Sequence, residues 1–71
     1  MYASVEVIIN DDSLPSVISC VWDTREQAIA STVNKYCQHI HDFHPIERVT
    51  ELVRSTGKIG FGNTSFHVVK I

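Results

Sequence analysis

The chain predicts an α+β fold: a two-layer sandwich with an antiparallel sheet of three to four strands and two helices on one face, in the order β-β-α-α-β-β. Three observations carry this reading. Apolar residues alternate with period 2 near both ends, a 3.6-residue period occupies the middle, and Gly, Pro and Asn-Asp clusters punctuate the transitions. With 71 residues there is room for one small domain spanning 1–71 and no second lobe. A hydrophobic share of 44% and a charged share of 20% place it among globular chains. A domain of this size buries only about 60% of its unfolded surface, so a metal, a disulfide, a second copy or a partner is expected to add to its stability.

The first strand is expected over Tyr2 to Asn10. Ala3, Val5, Val7 and Ile9 share one face and Tyr2, Ser4, Glu6 and Ile8 the other, and the more apolar set is expected to meet the helices. The segment from Asn10 to Ser16 is dense in turn formers, and Pro15 cannot donate to a ladder, so the chain reverses before a second strand from Val17 to Trp22. That strand is apolar on both faces. Asp23 and Thr24 each stand three residues before Glu26 and Gln27, which writes a capping box in two overlapping registers at the start of a helix. Ile29, Val33, Tyr36 and Ile40 form its apolar stripe, with Ala30 and Cys37 widening one flank.

A helix must end before Pro45 and restart after it, with Pro45 at the first helical position and Ile46, Val49, Leu52 and Val53 on its buried face. Gly57 closes this second helix. Lys58 to Phe61 and Phe66 to Ile71 return to strand character about a Gly62-Asn63 turn. The final strand can pair with the first or lie at an edge as a template for another chain.

The net charge of −2, from six Lys/Arg against eight Asp/Glu, leaves no overall footprint for phosphate backbones or anionic lipid. Apolar runs such as Val7 to Ile9 fall far short of a membrane span, and the N-terminal residues lack a signal-peptide pattern, so a cytoplasmic protein without membrane contact is expected. Two cysteines, Cys20 and Cys37, would be reduced in that compartment.

The densest chemical signal runs from Cys37 to His44. Cys37 and His41 are four apart and share a helix face, and His44 or Asp42 closes from the adjoining turn, a spacing able to hold zinc. The structural alternative is histidines at a helix C-terminus beside a core cysteine, with no cofactor. As a nucleophile, Cys37 would sit near the helix C-terminus, where the dipole opposes a thiolate. The chain has no Gly-x-Ser-x-Gly elbow and no Gly-rich phosphate loop, and Asp11 and Asp12 lie in a turn, so no enzyme is expected.

Lys58-Ile59-Gly60-Phe61-Gly62 resembles part of the ribonucleoprotein signature of the RNA-recognition motif. That resemblance implies a nucleic-acid interface on Lys58, Phe61, Phe66 and Lys70, with Arg54 nearby. Asn63-Thr64-Ser65 stands where the signature continues with aromatic and apolar residues, and the element order differs from that family's. The stretch from Val17 to Ala30, with its Asp-Thr-x-Glu-x-Ala opening, resembles the start of HicB-type antitoxins. It shares a capping device found in many small α+β domains and brings no functional residue with it.

The leading expectation is a non-enzymatic protein-binding module, a small inhibitor or regulator of the accessory kind carried by phages, plasmids and bacterial genomes. A homodimer is a further expectation. Partner docking or homodimerisation is expected through the sheet face away from the helices, with Tyr2, Glu6, Ile8, parts of Val17 and Val21 and the C-terminal strand. Trp22, Tyr36 and Phe43 are additional aromatic anchors. A nucleic-acid module and a zinc-stabilised domain are the alternatives.

Overall fold

The computed structural model describes residues 1–10, 12, 14–39 and 45–71. Among these residues four strands, β1 (Tyr2–Ile8), β2 (Ser16–Trp22), β3 (Lys58–Phe61) and β4 (Thr64–Lys70), and two helices, α1 (Arg25–His39) and α2 (Ile46–Thr56), follow the order β-β-α-α-β-β. The sheet is antiparallel throughout with strand order β2-β1-β4-β3. Two hairpins therefore meet through β1 and β4, which come from opposite ends of the chain. Their pairing runs past the strand ends, where Ile71 N–H donates to the Met1 carbonyl at 3.0 Å. The C-terminal strand is thus internal, and the sheet edges are β2 and β3.

Local chemistry sets the element ends. Of the two overlapping cap registers, the one built on Thr24 forms: Gln27 N–H donates to Thr24 Oγ1 at 3.2 Å, and Thr24 N–H donates to Gln27 Oε1 at 3.1 Å. Pro45 occupies the N-cap of α2 with φ −55 and ψ 128 rather than the first helical position expected for it, which Ile46 takes. Its carbonyl accepts from Arg48 and Val49 N–H, so the ring's missing donor costs nothing. Gly57 adopts φ 73 and its N–H returns to the Val53 carbonyl at 2.8 Å, ending α2 in the left-handed cap that glycine takes without strain. Gly62 has φ 55 whereas Asn63 stays at negative φ, the sense of a hairpin turn that takes glycine first.

The core lies between α1, α2 and one face of the sheet. Ile29, Val33, Tyr36, Val49, Val53 and Phe66 form it, with Cys37, Ile59, Phe61 and Val68 packed against it. Tyr36 meets Phe61 and Phe66 edge-on, with ring centroids 5.8 and 6.2 Å away, the offset geometry that ring quadrupoles prefer. The buried flank of α1 runs through Ala28 and Thr32, whereas Ala30, expected to widen the stripe, is exposed. On α2 only Val49 and Val53 are buried. Ile46 and Leu52, expected inside, are exposed, because the short helix meets the core along a stripe two residues wide. Ile40 lies outside the described residues.

Polar contacts fasten the helices to each other on their outer side. The Arg54 guanidinium bonds Glu26 Oε2 at 3.0 Å and Glu51 Oε2 at 3.2 Å, and Arg25 Nη2 donates to the Arg54 carbonyl at 2.6 Å. The hydrogen bond from Arg54 and its positive charge hold the Glu26 carboxyl below its usual value of 4.5.

Candidate interaction face of the sheet

Cross-strand partners project to the same side of a sheet, so the register assigns every strand residue to a face. Phe66 is 1% exposed in the core and pairs with Glu6 and with Ile59. The even-numbered side of β1, comprising Tyr2, Ser4, Glu6 and Ile8, therefore faces the helices, together with Ser16, Ile18, Cys20 and Trp22 of β2. The opposite side carries Ala3, Val5 and Val7, then Val17, Ser19 and Val21 of β2, and Ser65, His67 and Val69 of β4. This reverses the expected orientation of β1.

The inner face of β1 is polar because the part of α1 above it is polar. Ser4 Oγ accepts from Trp22 Nε1 at 3.0 Å and lies 3.5 Å from Ser31 Oγ. Glu6, 7% exposed, lines a narrow void with Thr32, Lys35 and Phe66. Glu6 thus lies under α1 and not on the open face, and Tyr2 and Ile8 share its side as half-buried residues. Trp22 is half-buried against the same helix face and Tyr36 is in the core; Phe43 lies outside the described residues.

The outer face is an apolar field with a polar margin. Val17, Val21 and Val69 are 61%, 56% and 44% exposed, and half-buried Val5 and Val7 lie between them around buried Ala3. Toward β3 the surface turns polar through Ser65, His67 and Lys58, with Ser65 Oγ and His67 Nε2 hydrogen-bonded at 3.0 Å. An apolar centre edged by polar side chains is the anatomy of protein–protein interfaces. Val5 and Val7 are the members that sequence reasoning missed. The signal for them lay in α1, whose Ser31 and Lys35, four apart beside Thr32, require a polar sheet face beneath them.

The remaining site residues scatter. Phe66 is buried and Phe61 packs against the core, so neither ring offers a face for base stacking. Lys58 pairs with His67 on the outer side of the sheet, whereas Lys70 pairs with Tyr2 on the helix side, and Arg54 is engaged by two glutamates. These cations form no common patch. Cys37 is half-buried at the margin of the core; His41, Asp42 and His44 lie outside the described residues, and among the described residues no cluster of three metal-ligating side chains occurs.

A groove of about 460 Å³ beside β3 is bordered by Tyr36, Leu52, Ile59 and the Ser65–His67 pair. Among the described residues no carboxylate hydrogen-bonds the imidazole, so the pair lacks the orienting third group of a hydrolytic triad. Among the described residues, no helix is long and apolar enough to cross a membrane. Comparison with protein-family models, curated proteins and solved structures returns no match.

Proposed function

We propose that the protein is a non-enzymatic binding module, of the small inhibitor or regulator kind, that docks a larger protein through the open face of its sheet. The observation that carries this reading is the inverted polarity of β1. Its more apolar side, Ala3, Val5 and Val7, is turned away from the helices, while Ser4 and Glu6 are turned toward them. Binary patterning is violated where a functional demand competes with folding, and an apolar sheet face with no covering layer among the described residues is such a demand. The partner surface that fits it is itself apolar and flat, with polar groups placed to meet Ser65 and His67.

The test is a pull-down from source-cell lysate, in nuclease-treated and untreated halves, of wild type and of a Val5→Thr/Val69→Glu double variant. Both substitutions keep strand-compatible side chains on the outer face. A stoichiometric protein that survives nuclease and is lost with the double variant supports the reading. Capture unaffected by the double variant refutes docking through this face, and partners that vanish with nuclease refute the protein-binding reading.

A further inference from the structure

We propose that β2 pairs antiparallel with β2 of a second copy of the chain, joining two sheets of four strands into one of eight. The argument begins with the direction of backbone groups. Ile71 N–H donates to Met1 O and Ile9 N–H to Asn63 O, so the odd-numbered residues of β1 direct their amides and carbonyls at β4. Its even-numbered residues then serve β2, where their partners are Ser16, Ile18, Cys20 and Trp22. The backbone groups of Val17, Ser19 and Val21 are left pointing outward from the sheet edge.

A two-fold axis through Ser19 uses all of them. It sets Val17 opposite Val21, Ser19 opposite Ser19, and Val21 opposite Val17, three hydrogen-bonded pairs that exchange six N–H to O=C bonds. The sequence is close to palindromic about this point: Ile18 then meets Cys20, and valines meet valines. Like charges cannot oppose one another, because Ser16–Trp22 contains no charged side chain. Ile18, on the helix side and 48% exposed, gains apolar cover from Cys20 of the second copy.

Natural edges are normally blunted by brevity, charge, proline or a covering element. The opposite edge shows such devices: β3 has four residues, begins with Lys58, contains Gly60 and lies beside α2. The seven-residue β2 has no proline within it and no charge. A strand that is long, uncharged and self-complementary, left without an outer neighbour among the described residues in a domain too small for a large core, is matched by a second copy of itself. The symmetry axis is normal to the sheet, so both helix layers stay on one side and the two outer faces become continuous. The inference does not depend on the outer face binding a partner.

The experiment is sedimentation equilibrium of the full chain over the micromolar range, with variants Ser19→Pro and Ile18→Lys. Proline removes one outward N–H and leaves the ladder with β1 intact. Lysine at 18 puts charge on the helix side of the new junction without altering the outer face. A wild-type dimer whose dissociation constant rises about tenfold or more in each folded variant is expected. Circular dichroism reports folding, and if Ser19→Pro does not fold, Ile18→Lys decides. A wild type monomeric throughout, or a dimer unweakened in the folded variants, overturns the inference. The Val5→Thr/Val69→Glu variant is expected to remain dimeric, which separates failure of this edge from failure of the sheet-face reading.

Discussion

The Trp22 indole N–H donates to the Ser4 hydroxyl at 3.0 Å, linking diagonal neighbours of the β1–β2 hairpin on its helix-facing side. Ser4 is buried, and its hydroxyl gives the indole a partner where water has little access. Ser4→Ala removes the acceptor and is expected to cost about 1 kcal/mol, read as a lower denaturation midpoint with an unchanged slope. The chain has one tryptophan, so its emission maximum reports the site directly and should move. A midpoint equal to wild type would show that the indole has found another partner.

That contact also shows what could and could not be read from the residues alone. The period change, the Thr24 cap and the Gly57 stop are local signals, and local interactions form them. Alternation in β1 divides the residues into two faces but does not say which face lies inward. Burial, the dominant driving force, points the more apolar side toward the core. The structure places it outward because the layer above the other side includes Ser31, Thr32 and Lys35, which Ser4 and Glu6 can meet. Long-range pairing of β1 with β4 decides this orientation, and no local pattern reports it. Ile46 and Leu52 differ from expectation for a related reason: the helical stripe is readable, but the width of its contact depends on where α2 sits.

Gly60 tolerates no side chain. A β-carbon there would stand 2.9 Å from the Thr64 carbonyl oxygen and 3.3 Å from Ser65 Cα, both backbone atoms of the neighbouring strand. Gly60→Ala must displace the β3–β4 hairpin, with an expected loss of about 1 to 3 kcal/mol. Gly57→Ala tests a different cause, because the nearest atom to its β-carbon is at an ordinary 3.5 Å and the penalty comes from φ 73. About 1 kcal/mol is expected there. Thermal melts of the two variants should therefore rank Gly60→Ala as the more damaging, and the reverse order would contradict the close approach.

The Glu26–Arg54 pair makes stability depend on acid. Folding lowers the Glu26 pKa below 4.5, so just beneath that value the unfolded chain binds more protons than the folded one. The contribution is complete above 4.5 and is lost as pH falls through the depressed value. Glu26→Gln should lower the melting temperature slightly at neutral pH, and the gap should close in strong acid. Both side chains are exposed, so the gap should also shrink in high salt. A gap independent of pH and salt would assign the effect to packing instead of charge.

Thr32 presents the opposite case, a polar group whose removal should help. Its side chain is 1% exposed, its hydroxyl has no hydrogen-bond partner among the described residues, and the narrow void it lines beside Ser4, Glu6 and Phe66 has no room for a water-sized sphere. A hydroxyl taken from water without compensation carries its desolvation penalty into the folded state. Thr32→Val keeps the branched shape and the helix propensity while exchanging the hydroxyl for a methyl group. Stability is expected to rise by about 1 kcal/mol, read as a higher denaturation midpoint. Thr32→Ala deletes both branches, opens the void and should fall below wild type. If Thr32→Val instead proves less stable than wild type, the hydroxyl is hydrogen-bonded in solution and the polar layer beneath α1 satisfies it.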